Sequence, residues 1–322
     1  MAHAPRESLI DTGTAVVPLP AAPWAAIRVQ GRDARGFLQG QLTQDLRTLT
    51  PVAGLRAALC TAQGRVIACT WLVETTPAAG EPGVWILLPD ELADTVAAVL
   101  RRYVLRAKLT ISTTHGHAAA RAWLADDATV LDAIFPDDAA RDGVLAVCRR
   151  AGRTWLRAGA KRVLEIPDDA ATPADGAAPF ADLRPADAPS FELAAIRDGE
   201  PMVFAATSGH WVAQMLNLDL IDGISFSKGC YTGQEIVTRT QHRGQIKRRM
   251  LCFAVRGVEP PAPGSALLSA TGRAGEVVRS AADGADAELL AVVPLEQADT
   301  ALRLENGAAL EPRPLPYPVT GG

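Results

Sequence analysis

The stretch Lys228-Gly229-Cys230-Tyr231-Thr232-Gly233-Gln234-Glu235 gathers a cation, a thiol and two glycines within eight residues. Ile224 and Phe226 lead into it in strand-like alternation, and Ile236 and Val237 follow it. Thr232 and Glu235 stand three apart, the spacing of a capping box: the hydroxyl accepts from the Glu N–H, and the carboxylate reaches back to the Thr N–H. That spacing predicts a helix starting at Thr232, with Cys230 just before its N-terminus. The positive end of a helix and the neighbouring Lys228 both favour a thiolate. The same residues also fit a Gly-rich turn with a buried, inert Cys, a common fate of free cysteines.

A chain of 322 residues suits two or three domains, and 48% hydrophobic residues suffice for their cores. A net charge of −4 argues against a general nucleic-acid binder, so no direct nucleic-acid partner is expected. The five cysteines are scattered without a CxxC, which disfavours a disulfide framework or a metal centre built from them and fits a reducing compartment. Glu7, Asp11 and Pro18 interrupt the N-terminus, so no signal peptide is read there. No apolar run approaches the ~20 residues needed to span a bilayer. The expectation is a soluble, monomeric, cytoplasmic protein.

Residues 1–23 read as a Pro-punctuated lead-in. Ile27 and Val29 predict a strand, and Asp33 caps a helix carrying Phe37, Leu38 and Leu42. Two strands, from Leu55 to Cys60 and from Val66 to Val73, flank an Ala62-Gln63-Gly64-Arg65 turn. A strand from Val84 to Leu88, a helix capped by Asp90 and a strand from Lys108 to Ser112 complete a split βαβ order. Residues 117–166 give a weaker set, with strands at 118–124, 143–149, 153–157 and 161–166 and a helix near 127–134. Residues 167–190 read as loop, and 191–196 as a helix ending at Gly199. Beyond Gly244, short strands separated by Gly and Pro predict a small β-barrel or sandwich. No internal repeat is evident.

Arg239, Arg243, Lys247, Arg248 and Arg249 form a basic run after the motif, read either as a solvated face or as an anion site. The five histidines have no metal-ligand spacing, and there is no GxGxxG or P-loop. By composition alone, Trp24 and Phe191 are core residues.

These motifs together resemble the YgfZ-type folate-binding proteins, relatives of the glycine-cleavage T-protein (aminomethyltransferase). Lys228 to Glu235 resembles their signature. Gly31-x-Asp33-Ala34 with Phe37-Leu38-Gln39-Gly40-Gln41-Leu42-Thr43 resembles their first helix, and Cys60-Thr61-Ala62-Gln63-Gly64-Arg65 their hairpin. Gly223-Ile224-Ser225-Phe226, Arg243-Gly244 with Lys247-Arg248, and the tail Glu311-Pro312 with Leu315-Pro316-Tyr317 extend the likeness over essentially the whole chain.

The resemblance implies an α+β, aminomethyltransferase-like fold in three parts. Residues 1–116, with 191–243 returning to them, form one α+β subdomain, 117–190 a second, and 244–322 a C-terminal β-barrel. It implies a tetrahydrofolate site lined by two aromatics. Trp24 matches the first, seven residues before Gly31. Phe191 stands where a Trp is usual, which keeps a stacking face but loses the indole donor. Ala213 stands where a Pro is common. Cys230 is implied as the working thiol, with Lys228 tuning it. The implied role is that of an accessory protein in assembly or repair of iron–sulfur clusters, serving client enzymes or cluster-assembly proteins and through them tRNA thiomethylation. The alternative is an enzyme: a folate-dependent one-carbon transferase or a direct tRNA modifier.

Overall fold

The computed structural model describes residues 24–75, 81–135, 145–150, 152–168, 180–243 and 246–319, without the side chains of 242 and 243. The expected lead-in over 1–23, the Gly244 boundary and the Arg243 side chain therefore lie outside the described residues.

The first half follows the anticipated order: β1 (Trp24–Gln30), α1 (Ala34–Gln39), β2 (Ala53–Cys60), β3 (Val66–Glu74), β4 (Gly83–Pro89), α2 (Ala93–Tyr103) and β5 (Thr110–His115). The two expected caps differ. Asp33 directs its carboxylate to the Lys108 N–H at 2.7 Å. Asp90 accepts from the Gly116 N–H at 3.1 Å and sits in a 3₁₀ turn ahead of α2. Both carboxylates tie their helices to the returning strand instead of to their own first turn.

Next come β6 (Arg121–Ala125), α3 (Ala128–Ile134), β7 (Leu145–Arg150), β8 (Arg153–Arg157), β9 (Arg162–Pro167), β10 (Leu183–Pro185) and α4 (Ala188–Arg197). The stretch read as loop thus contains β10. α4 starts before the apolar residues that announced it, because Asp187 accepts from the Ser190 N–H at 2.7 Å and caps it.

These strands form one ten-stranded antiparallel sheet in the order β10-β6-β9-β8-β7-β2-β3-β4-β1-β5. Numbered within each half, both sets run 5-1-4-3-2, so the halves share one topology. They join edge to edge through β2 and β7, with Ala53 opposite Ala146 and Gly54 opposite Leu145. This is an internal structural repeat that the sequence does not announce. The second copy has its own aromatic core around Trp123, Trp155, Leu131 and Phe135.

The chain then runs through α5 (Gln234–Arg243) into β11 (Arg248–Val255), β12 (Ala266–Ser269), β13 (Gly272–Asp283), β14 (Asp286–Pro294), β15 (Arg303–Leu304) and β16 (Leu310–Arg313), in the order β15-β12-β13-β14-β11-β16. The Leu310 N–H donates to the Leu302 carbonyl at 2.9 Å, so the two ends of this order meet and a small barrel closes. Phe253, Val255, Leu289, Ala291 and Val293 fill it. Alternate residues Met250, Cys252, Leu290 and Val292 face the main core. Burial on both faces accounts for the unbroken apolar run 289–293. No helix among the described residues is long and apolar enough to cross a membrane.

Arg249 fixes the barrel to the body. Its guanidinium grips Asp219 at 2.6 and 3.0 Å and donates to the Gln214 carbonyl at 2.8 Å, with both side chains buried. Arg249 therefore leaves the exposed basic run. Removing one partner strands a buried charge, so Asp219→Ala should lower stability by about 3–5 kcal/mol. Urea unfolding with a midpoint equal to wild type would show the pair to be dispensable.

Candidate functional site: the Lys228–Glu235 loop and an aromatic–arginine cluster

Lys228 is 5% exposed, and its ammonium donates to the carbonyls of Gln39, Leu42 and Gln44 at 2.7, 2.7 and 2.8 Å. All three of its protons are thus used within the loop that follows α1. Burial pushes its pKa from 10.5 down to about 8. The Tyr231 ring lies beneath the ammonium at 5.0 Å, and Tyr231 is itself buried. Thr43 ties the same loop to the motif's approach and to β2. Its hydroxyl donates to the Gly223 carbonyl at 2.7 Å and accepts from the Ala58 N–H at 2.8 Å.

The expected capping box does not form. The Thr232 N–H donates to the Gly40 carbonyl, and its hydroxyl to Gln41 Oε1 at 3.5 Å. The helix starts instead at Gln234, after Gly233 at φ +85°. A Cβ on Gly233 would come within 2.5 Å of the Thr61 carbonyl oxygen, and one on Gly64 within 2.8 Å of Ile236 Cβ. The two glycines let the motif seat directly on the β2–β3 turn. Glu235 is exposed, while Gln234 is partly buried.

Of the five free cysteines, Cys230 is exposed, Cys148 is intermediate, and Cys60, Cys69 and Cys252 are buried. Desolvation pushes Cys60 and Cys252 up to about 12 and raises Cys69 as well. Cys230 sits beside exposed Gly229, four residues ahead of α5.

Trp24 and Phe191 come together, as part of a closed cluster. Trp24 stacks on Trp71 with centroids 4.9 Å apart, and Phe191 meets it edge-on at 6.2 Å. Trp24 is 2% exposed and Phe191 1%. The fully buried Arg162 lies 5.6 Å from the Trp71 ring centre and 5.3 Å from that of Phe191. It donates through Nε to Asp198 at 2.8 Å, while its two terminal nitrogens have no hydrogen-bond partner. The Trp24 indole N–H also lacks one. Glu200 accepts from Trp71 Nε1 at 3.0 Å and from Arg56 Nε at 2.8 Å.

Trp71, Arg56, Arg162 and Glu200 escaped the sequence reading. Of these, Arg56 alone left a signal, an isolated charge in the apolar stretch Leu55-Arg56-Ala57-Ala58-Leu59. Of the basic run, Arg239, Lys247 and Arg248 are exposed, so they do not join either cluster's buried interior. No group of His, Cys, Asp or Glu among the described residues could hold a metal ion.

A scan against protein-family models found none that matches. The chain is 31% identical over 306 residues to the tRNA-modifying protein YgfZ of Edwardsiella ictaluri (strain 93-146), covering 91% of this chain and 90% of that protein. The protein of the same name from Serratia proteamaculans (strain 568) is 31% identical over 316 residues, with 91% and 90% covered. The chain belongs to the YgfZ family. Among solved structures, the glycine cleavage system aminomethyltransferase T from Bartonella henselae superposes with a TM-score of 0.59 at 14% identity, covering 91% of this chain and 83% of that one. This member of the YgfZ family therefore has an aminomethyltransferase-like fold, as the sequence motifs implied.

Lys228 gives a test of the loop. Lys228→Met leaves three carbonyls without their donor, and a single buried unsatisfied group costs about 1–3 kcal/mol. Because the folded pKa is depressed, the unfolded chain holds a proton that the folded chain has released between about pH 8 and 10.5. The stability difference between wild type and Lys228→Met should therefore rise across that window. A flat difference would mean that Lys228 is solvated in the folded state.

Proposed function

We propose that this chain is a tetrahydrofolate-binding accessory protein that supports assembly or repair of iron–sulfur clusters in client enzymes, and through them tRNA modification. The observation that carries the thiol half of this reading is the contrast among its cysteines. Cys230 is exposed on a loop held by buried hydrogen bonds, and every other cysteine is partly or wholly enclosed. A nucleophilic or metal-delivering thiol has to be reachable. Lys228 contributes by fixing the backbone that presents Cys230.

The folate half rests on the family and on the chemistry of the aromatic cluster. Donors without hydrogen-bond partners on Trp24 and Arg162, beside the stacked Trp24–Trp71 pair and the edge-on Phe191 ring, match a flat heteroaromatic rich in acceptor atoms. The cluster is closed, so a pterin needs Phe191 or Trp71 to move aside. Arg239, Lys247, Arg248 and Arg243 follow the motif in sequence and are candidates for the anionic glutamate end. When bound, folate would supply one-carbon chemistry or a conformational signal. This chain's residues would orient its ring and exclude water around it.

Two measurements test the halves separately. By calorimetry, Trp24→Ala should weaken tetrahydrofolate binding by roughly 0.5–1.5 kcal/mol, the scale of aromatic contacts; equal affinity would remove Trp24 from the site. In a deletion strain, Cys230→Ser should fold and bind folate but fail to restore iron–sulfur enzyme activity. Full rescue would refute the thiol mechanism. Aminomethyl transfer by the purified protein would instead establish a folate-dependent transferase.

A further inference from the structure

Arg101-Arg102-Tyr103-Val104-Leu105-Arg106-Ala107-Lys108 carries four cations and no carboxylate, and no Asp or Glu occurs between Asp94 and Asp126. In the whole chain acids outnumber bases, 36 to 32, so this segment reverses the protein's sign locally. It covers the last turn of α2 and the turn into β5. Arg101, Arg102, Arg106 and Lys108 are all exposed. Arg101 donates to the Ile111 carbonyl at 3.2 Å, and none of the four is paired with a carboxylate among the described residues. Tyr103 is 47% exposed and Leu105 87%. Among the described large apolar side chains, only Val52 shares such exposure.

Helix stability explains part of this. Cations in a last turn offset the macrodipole, which accounts for Arg101 and Arg102. It leaves Arg106 and Lys108, beyond the helix, unexplained, and it gives no reason to hold Tyr103 and Leu105 in water. Unpaired guanidinium forks interleaved with an exposed ring and an exposed aliphatic side chain form the combination that grips single-stranded nucleic acid: forks take phosphates, and apolar faces take unstacked bases.

We propose that this surface binds single-stranded RNA, such as an unpaired loop of tRNA. The proposal rests on the tRNA-linked reading above only for the choice of RNA among polyanions. A bilayer is a poorer occupant, because the apolar face of α2 (Val96, Ala97 and Leu100) is buried in the core and leaves one aliphatic side chain to insert. An acidic peptide would leave the Tyr103 ring without a role. Outside this segment acids outnumber bases by more than in the whole chain, so a net charge of −4 and a local RNA site are compatible.

The test is fluorescence anisotropy of a labelled, unmodified tRNA transcript and of a labelled single-stranded RNA at low salt. Wild type should bind both saturably, with affinity falling as salt rises. Arg102→Glu with Arg106→Glu should weaken binding about tenfold or more and flatten the log–log salt dependence by roughly 1.4, the loss of two single-strand phosphate contacts. Tyr103→Ala should weaken binding severalfold with the salt slope unchanged. All three positions are exposed, so the variants should fold, and circular dichroism checks this. No saturable binding by wild type, or equal binding by the charge-reversed variant, overturns the proposal. So does capture by anionic vesicles without binding to either RNA. Folate titration of the same variants is a separate readout. Absence of folate binding by wild type, with RNA binding present and lost in the charge-reversed variant, would count against the folate site alone.

Discussion

A single ammonium group inside the protein holds the candidate site in shape. Lys228 reaches from one end of the chain's signature loop into a pocket of carbonyls contributed by residues some 190 positions earlier. Burying a charge is strongly unfavourable unless it is met by partners, and here three carbonyl dipoles meet it. The arrangement works in both directions. Without Lys228 the carbonyls of Gln39, Leu42 and Gln44 face inward with nothing to bond. Without the turn after α1 the ammonium has no counter-dipole. The loop that carries Cys230 is therefore anchored to the core on which it sits, although Gly229 and Cys230 themselves face solvent.

The site's location follows from the doubled sheet. β2 and β3 lie near the middle of ten strands, where two copies of one five-stranded unit meet. Arg56 on β2 stands opposite Trp71 on β3, so both share one face of this central region. Two polar groups lie near this region. Glu200 binds both Arg56 and Trp71, while on the other side Gln44 donates to Asp222 and accepts from Lys228 through its carbonyl. Central strands are bonded on both edges and are among the least deformable parts of a sheet. Both the signature loop and the aromatic cluster are thus referenced to the same stiff element.

Local rules made much of this legible. Alternation placed β1, apolar runs on either side of a turn placed β2 and β3, helical spacing placed α2, and the motifs fixed the family and fold. The errors share a cause: they are places where a residue's partner is distant in sequence. Thr232 and Glu235 have the spacing of a capping box, but Gly40 and Gln41 compete for Thr232, and Gly233 takes a positive φ where a Cβ would strike the Thr61 carbonyl. Asp33 and Asp90 look like caps and serve as tethers to the segments just before and just after β5. Arg249 looks like one more cation in a basic run and is in fact the buried half of an ion pair. The duplication of the sheet was invisible because backbone topology preserves it while the side chains of the two copies have diverged. β10 and β16 were too short to show a period.

The aromatic cluster also bears on how the barrel and the body communicate. α4 presents Phe191 inward to Trp24, and its neighbour Glu192 outward to Arg279 of β13. Arg197, one turn further on, holds Glu288 and Asp283 of the barrel. At the end of the helix, Arg279 donates to the Glu200 carbonyl at 2.9 Å and Tyr317 to that of Gly199 at 2.7 Å. Glu200 is thereby bound to Trp71 and Arg56 through its carboxylate and to the barrel through its backbone. A Cβ at Gly199 would lie 2.7 Å from the Tyr317 ring, so this junction has no slack. Phe191 cannot be drawn away from Trp24 by a shift of α4 unless these barrel contacts yield. A rotamer change of Phe191 has to find space beside Arg162 instead. The closed aromatic cluster and the seating of the C-terminal barrel are one mechanical unit, joined through α4.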